Sequence, residues 1–332
     1  MRFLPLLLLP LIGALDVRGV TVAHLHRRGS GYGSAAYVQQ LAELNTLGAN
    51  WIALNNFAYM RDIRRPGLRW GGDRTLTDAD MRQAVRSAHD AGLKVLLKPH
   101  LWSNAFWRGQ WHGDVAMSSE ADWEAFFENY TAYLLAEARI AADTGADALC
   151  IGVEMEGTSH RSDDWRKLIA AVREVYDGPI TYCAAFMEYR KIDWWDAVDV
   201  VGISAYFKLS DERLADEAEL RRGWADVYDD LADFHAETGK PIAFLELGYT
   251  ASETAAAEPW SYELDGEDID YQARLYRVAI EECAKRDFMV GVFVWKWFSG
   301  GDHERLEGRD NFVVQNRPAV RAAIRDAWSN GE

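Results

Sequence analysis

Cysteine is scarce in this chain of 332 residues, which contains only Cys150, Cys183 and Cys283, with no C-x-x-C spacing. This odd, dispersed set argues against a disulfide framework and against a zinc site. The sequence also lacks an H-E-x-x-H motif, a G-x-G-x-x-G loop and a P-loop. We therefore expect neither a metal nor a cofactor in the functional site.

Basic residues are outnumbered, with 36 Lys and Arg against 52 Asp and Glu, for a formal net charge of −16. A chain of this charge repels phosphate backbones and anionic membrane surfaces, so nucleic acid and membrane partners are disfavoured. A neutral substrate is the better match. No Pro/Gly/Ser-rich linker divides the chain, which favours a single domain.

Long apolar runs are also missing. The N-terminal segment Leu4–Ile12, after Arg2 and before Gly13-Ala14, resembles the core of a secretory signal and is too short to span a bilayer. We predict a signal peptide over residues 1–15, a catalytic domain over 16–332, and a secreted or periplasmic location. A cytoplasmic location stays open, because no clean A-x-A cleavage site follows the segment.

Short apolar runs alternate with amphipathic helical stretches from Val17 onwards, a pattern typical of a parallel sheet. Glycines at 48, 92, 145, 178 and 239 follow helical stretches, where a left-handed C-cap is expected. Eight strand–helix units predict a single (β/α)₈ TIM barrel. The predicted strands are Val17–His24, Asn50–Phe57, Leu93–His100, Asp147–Glu154, Pro179–Phe186, Val198–Tyr206, Pro241–Gly248 and Met289–Trp297. The predicted helices are Ala35–Leu47, Asp78–Ala91, Glu120–Thr144, Ser162–Tyr176, Asp193–Ala197, Ser210–Glu237, Ile269–Arg286 and Pro318–Trp328.

Polar or aromatic residues stand at the end of nearly every predicted strand, where the active site of such a barrel lies. They are His24, Asn55, Asn56, His100, Glu154, Tyr206, Glu246, Trp295 and Trp297. The carboxylates of Glu154 and Glu246 end the fourth and seventh strands, so we expect them to converge across the barrel mouth. Paired carboxylates perform glycoside hydrolysis, at roughly 5–5.5 Å in retaining enzymes and roughly 6.5–9.5 Å in inverting ones.

Each of these residues has a simpler structural interpretation. Glu246 could form an ion pair with a nearby Lys or Arg, and Asn55 and His100 could be satisfied structural side chains. Glu156 shares strand parity with Glu154 but is expected to start the following loop, and Glu188 is expected to be a loop carboxylate. The loop from Leu101 to His112 carries three of the 14 tryptophans, and we expect Trp107, Arg108 or Trp111 to contact a sugar.

Several stretches together resemble glycoside hydrolase family 113, a family of clan A. They are HDAGLKVLLKPH (His89–His100), FWRGQW (Phe106–Trp111), DWEAFFENYTAYLLAEA (Asp122–Ala138), CIGVEMEGT (Cys150–Thr158), DVVGISAYFKL (Asp199–Leu209) and PIAFLELGY (Pro241–Tyr249). The resemblance implies a retaining (β/α)₈ hydrolase of the endo-β-1,4-mannanase type.

Carried over by position, the resemblance implies that Glu154 is the acid/base and Glu246 the nucleophile. Tyr206 is expected to donate a hydrogen bond to Glu246, His100 and Asn55 to hold sugar hydroxyls, and Trp295 to form the floor of the subsite. Val153 departs from the clan pattern, which often has Asn before the acid/base. Two alternatives stay open, namely a clan A hydrolase of another β-glycan such as glucan, galactan or xylan, and a non-catalytic glycan-binding barrel.

Overall fold

The computed structural model of the chain describes residues 15–24, 29, 31–72, 75–300 and 311–329. Residues 1–14 of the predicted signal peptide lie outside these ranges, so the signal and the export it implies stay predictions. Leu15, which is described, is buried in the hydrophobic core. Among the described residues, no helix combines the length and the apolar character that crossing a membrane requires.

Eight parallel strands close into a barrel, which confirms the predicted (β/α)₈ fold. Around the barrel the order follows the chain, and the last strand pairs with the first. The barrel strands are β1 (Val17–Ala23), β2 (Trp51–Leu54), β5 (Lys94–Leu97), β7 (Ala148–Val153), β8 (Ile180–Ala185), β9 (Val200–Ser204), β10 (Ile242–Leu247) and β11 (Met289–Phe298).

A small second sheet, absent from the sequence-based prediction, extends two of the barrel strands. It contains β3 (Phe57–Met60), β4 (Leu68–Arg69) and β6 (His100–Ser103), in the order β4-β3-β6. The predicted strands Asn50–Phe57 and Leu93–His100 are present, but their predicted ends were wrong, because the barrel strands stop at Leu54 and Leu97. Pro99 has no N–H for a strand ladder, and Asn has low strand propensity, so Pro99 and the Asn55-Asn56 pair each separate a barrel strand from a strand of the second sheet.

Helices surround the barrel in the expected positions. They are α1 (Ala35–Leu47), α2 (Asp78–Asp90), α3 (Glu120–Thr144), α4 (Glu156–Ser159), α5 (Ser162–Arg173), α6 (Glu217–Thr238), α7 (Ile269–Ala284) and α8 (Pro318–Ser329).

Three local predictions need correction. The helix predicted from Ser210 begins at Glu217, because the Asp216 carboxylate accepts a hydrogen bond from the Glu219 N–H at 2.8 Å and caps α6 there. The predicted helix Asp193–Ala197 is a 3₁₀ turn over Trp195–Ala197. Gly178 does not take the left-handed conformation that the other four predicted cap glycines adopt.

The interior of the barrel is filled by small and medium apolar side chains. They are Ala53, Leu96, Cys150, Val153, Cys183, Ala243, Leu245 and Phe293. A larger apolar layer lies between the strands and the helices. Since the interior is packed solid, as in other (β/α)₈ barrels, the polar side chains at the strand ends collect at the mouth.

Candidate active site

Glu246 lies near the end of β10, at the barrel mouth, with 5% of its surface exposed. Its Oε2 accepts a hydrogen bond from the hydroxyl of Tyr206 at 3.0 Å, which confirms the predicted contact. Its Oε1 lies 2.6 Å from Nζ of Lys98. Two donors therefore hold the carboxylate in one orientation and compensate for its burial.

Lys98 is the most important site residue that the sequence analysis missed. It follows β5, is completely buried, and donates to the backbone carbonyl of Leu245 at 3.1 Å as well as to Glu246. Burial is the largest single influence and opposes the positive charge of Lys98, but the attraction and hydrogen bond of Glu246, together with Cys183 and Cys150, outweigh it and raise the pKa of Lys98. The ion pair proposed as the structural alternative for Glu246 thus exists, and it lies inside the site.

Glu154 follows β7 directly, in a left-handed backbone conformation with φ of 52°. Such a conformation is uncommon for a residue with a Cβ and occurs often at functional sites. Two hydrogen bonds secure it: the Glu154 N–H donates to the Cys183 carbonyl at 2.7 Å, and the Met155 N–H donates to the Tyr182 hydroxyl at 2.8 Å. Glu154 itself is half-buried.

Burial raises the pKa of Glu154 above the ordinary range of a carboxyl group, and the negative charge of Glu246 raises it further. A hydrogen bond with Ser204 and the charge of Lys98 act in the opposite direction. Ser204 is the backbone register partner of Glu246 between β9 and β10, so it lies on the strand next to Glu246. The pair combines a carboxyl that favours its protonated form with a carboxylate held by two donors, a combination suited to acid/base and nucleophilic chemistry.

The other two candidate carboxylates have structural partners. Glu156 begins the short helix α4, where a loop was expected, and forms an ion pair with Lys191. Glu188 was expected to be a loop carboxylate but is completely buried. Its carboxylate accepts hydrogen bonds from the Tyr182 hydroxyl at 2.7 Å and from the Ala185 N–H at 2.9 Å. Burial raises the pKa of Glu188 to about 7. Through Tyr182, Glu188 supports the turn that carries Glu154.

Asn55, His100 and Trp295 meet beside the carboxylate pair. The Asn55 Nδ2 and His100 Nε2 atoms are 2.5 Å apart, and the His100 ring is stacked over the Trp295 indole at 6.4 Å between centroids. Trp295 also lies under the ammonium group of Lys98, at 5.3 Å. These residues, predicted to contact a sugar, form one continuous wall with the ion pair, and their roles towards a sugar stay predictions.

His24 lies on the β1 side of the mouth. Its ring stacks on Tyr32 at 4.7 Å, and its Nδ1 atom is 3.1 Å from the Ser299 hydroxyl. The Asn55 N–H donates to the Tyr32 hydroxyl at 2.9 Å, which connects His24 to the wall that contains Asn55.

In the loop from Leu101 to His112, which we call the tryptophan loop, solvent exposure differs from residue to residue. Trp107 is 78% exposed, Arg108 is exposed, and Trp111 is half-buried. Trp107 packs edge-on against Trp102, at 5.6 Å between rings. A large aromatic surface that the fold leaves in solvent is typical of a binding surface.

His112 is a second residue that the sequence analysis missed. Its ring lies 6.1 Å from His100 and 4.6 Å from Phe106, and its Nε2 atom is 3.1 Å from the Leu101 carbonyl oxygen. Burial lowers the pKa of His112, although the charge of Glu246 acts against this. His112 connects the wall of the site to the tryptophan loop. Its position, twelve residues after His100 in a polar loop, carries no sequence signal for this contact.

Metal ligation finds no support in the described ranges, where no three His, Cys, Asp or Glu side chains come together as a possible ion site. The arrangement that the structure contains is a carboxyl pair, a buried lysine, amide and hydroxyl donors, and aromatic surfaces.

The model of Glycoside Hydrolase Family 113 matches residues 20–316 of the chain. No curated protein matches the chain by sequence. Among solved structures, the chain is similar to the GH113 β-mannanase AaManA from Alicyclobacillus acidocaldarius in complex with ManMIm. That likeness has a TM-score of 0.84 and 26% identity, over 96% of this chain and 98% of the other.

Two more distant likenesses concern the fold. A GH113 β-1,4-mannanase complex has a TM-score of 0.82 and 24% identity, over 95% of this chain and 99% of its own. A β-glucuronidase from Faecalibacterium prausnitzii has a TM-score of 0.62 and 17% identity, over 95% of this chain and 49% of its own. All three alignments extend over nearly the whole barrel.

Proposed function

Because this chain belongs to glycoside hydrolase family 113, we propose that it cleaves β-1,4-linked mannan or manno-oligosaccharides with retention of anomeric configuration. The observation that carries the proposal is the contrast between the two carboxyl groups. Glu246 is held by Lys98 and Tyr206, whereas the pKa of Glu154 is raised by burial and by Glu246. The mannanase assignment draws on the similar GH113 structures.

In the first step a carboxylate oxygen of Glu246 attacks the anomeric carbon, the glycosidic C–O bond breaks, and the carboxyl proton of Glu154 moves to the departing oxygen. In the second step a water molecule gives a proton to Glu154 while its oxygen attacks the anomeric carbon. As that bond forms, the bond between the anomeric carbon and Glu246 breaks, which restores both side chains. No cofactor enters either step.

The neighbouring residues have supporting roles in this proposal. Lys98 and Tyr206 fix the Glu246 carboxylate for attack, and Ser204 orients Glu154. Asn55 and His100 contact hydroxyls of the sugar that is cleaved, and Trp295 stacks beneath that sugar. Val153, which is buried in the barrel interior, leaves recognition of the sugar 2-hydroxyl to other side chains of the wall.

Reducing-sugar release from mannan, glucomannan, cellulose, xylan and galactan tests the specificity. We expect the fastest release from mannan, and faster release from another polymer would assign the enzyme to that glycan instead.

Glu154→Ala and Glu246→Ala should each lower kcat by roughly 10²- to 10⁴-fold with the fold intact. Glu156→Ala is the matched control, because Glu156 lies two residues from Glu154 and is paired with Lys191. Binding of mannan without turnover by the wild-type protein would instead indicate a glycan-binding barrel.

A further inference from the structure

A groove of about 630 Å³ lies next to the tryptophan loop and carries an unusual charge for this protein. Its lining includes Arg61, Arg64, Arg65 and Arg108 against a single carboxylate, that of Asp62. The chain as a whole has a net charge of −16, so a local excess of four arginines over one acid is a strong departure from the average surface. We call this feature the arginine groove.

The four guanidinium groups are exposed and available to a ligand. Within the ranges that the structure describes, none of them forms an ion pair with a carboxylate. Elsewhere in the described chain, exposed Arg190 pairs with Asp230 and exposed Arg213 with Glu253, each at 2.7 Å, whereas exposed Arg139 and Arg222 form no ion pair. Guanidinium groups bind carboxylates with parallel, charge-assisted hydrogen bonds, so several of them around one groove favour an anionic group.

The loop that supplies three of the arginines is anchored to the barrel. Ile63 lies among them and is buried in the core, and its carbonyl accepts from the Ala116 N–H at 3.2 Å. The Pro66 carbonyl accepts from the Asn129 side chain at 3.0 Å. The Arg65 N–H donates to the Asp62 carbonyl at 3.1 Å. The arginine backbone is therefore fixed before a ligand binds, which lowers the entropic cost of binding.

The groove lies beyond the far ends of β3 and β6, the two strands that lead away from His100. Strands β3 and β6 run side by side from the pair Phe57 and His100 to the pair Met60 and Ser103. They therefore end roughly 10 Å beyond His100, and the loops that follow them line the groove. Exposed Trp107 directly precedes Arg108 at this point, so an aromatic platform lies beside the positive charge.

We propose that the arginine groove binds a uronic acid unit of the glycan whose neutral backbone is cleaved between Glu154 and Glu246. The proposal rests on the proposed function for the identity of that backbone. A sugar carboxylate fits a groove that combines guanidinium groups with the amides of Asn104 and Gln110 and with a nearby indole. A nucleic acid or an anionic membrane does not fit, because the rest of this acidic surface would repel it.

The test compares two oligosaccharides of equal length, a β-1,4-manno-oligosaccharide and the same chain bearing glucuronic acid. Wild-type protein should bind the acidic chain about tenfold more tightly at low salt, and the difference should shrink as salt rises. The Arg64→Ala/Arg65→Ala variant should bind the two chains with equal affinity. The matched control Arg139→Ala/Arg222→Ala, which removes two exposed arginines from α3 and α6, should keep it.

Calorimetric binding is measured alongside kcat/KM, so the groove is tested even if neither oligosaccharide is hydrolysed. Absence of hydrolysis would reject the proposed function but would leave the groove proposal standing. Equal affinity of the wild-type protein for both chains, or an unchanged ratio in the Arg64→Ala/Arg65→Ala variant, would reject the groove proposal. Inorganic phosphate that binds as tightly as the acidic chain would also reject it, since the site would then recognise any small anion.

Discussion

Lys98 and Glu246 form a buried ion pair across the barrel, with 2.6 Å between Nζ and Oε1. Lys98 directly follows β5 and Glu246 lies in β10, and these strands are not adjacent, so the pair also joins distant parts of the barrel wall. Removing one member of a buried pair leaves an uncompensated charge, which costs about 3–5 kcal/mol. Lys98 therefore holds the proposed nucleophile in position and compensates for its burial.

Lys98→Met should lower kcat by about 10²-fold, because the Glu246 carboxylate loses one of the two donors that fix its position. The variant should also unfold at a lower urea concentration. Lys94→Met is the matched control, since Lys94 is exposed at the other end of β5. The double variant Lys98→Met/Glu246→Gln should regain part of the stability, and an equally unstable double variant would contradict the uncompensated-charge explanation.

Ser204→Ala should move the alkaline limb of kcat/KM to higher pH. The Ser204 hydrogen bond lowers the pKa of Glu154, so its loss raises that pKa and keeps the acid protonated further into the alkaline range. The expected displacement is roughly half to one pH unit. A pH–rate profile of both proteins measures it, and a displacement to lower pH would show that Ser204 does not act on Glu154.

Tyr182→Phe should lower kcat with little change in KM. The Tyr182 hydroxyl accepts from the Met155 N–H and donates to Glu188, so its loss loosens the left-handed turn at Glu154. Tyr176→Phe is the control, because its buried hydroxyl donates to the Ala146 carbonyl, before the start of β7. If both variants lowered kcat equally, general destabilisation would explain the loss.

Glu137→Gln should make stability less dependent on pH. Burial raises the pKa of Glu137 to about 8, and Asn56 donates to its Oε1 at 2.6 Å. The folded protein thus holds a proton that the unfolded chain loses near pH 4.5, so stability falls as pH rises from about 4.5 to about 8. Urea unfolding at pH 5 and 8.5 should show the variant gaining stability, relative to wild type, only at the higher pH. An equal difference at both would contradict this.

The strand ends explain why much of the site could be predicted from the sequence. Glu154 and Glu246 each end a run of buried apolar residues, and a (β/α)₈ barrel brings all such ends to one mouth. Tyr206 lies two residues after the end of β9, so the same rule brings it to the mouth. The fold, the carboxylate pair and the Tyr206 contact follow from patterns within single strands.

Lys98 could not be found this way, because its partner is 148 residues distant along the chain and only closure of the barrel brings them together. In the sequence it stands before Pro99 and looks like a surface lysine at a strand end. Glu188 is a similar case. It looked like a loop carboxylate, and only the fold of the turn after β8 brings it under Tyr182.

In the proposed mechanism Glu246 forms a covalent bond with the substrate. Intact protein is incubated with a 2-deoxy-2-fluoro-β-mannosyl fluoride, whose fluorine slows the second step, and digested for peptide mass spectrometry. We predict one sugar unit on the peptide that contains Glu246, labelling of Glu154→Ala at the same position, and none on Glu246→Gln. A sugar on another carboxylate, or turnover of the reagent with inverted configuration and no adduct, would contradict this mechanism.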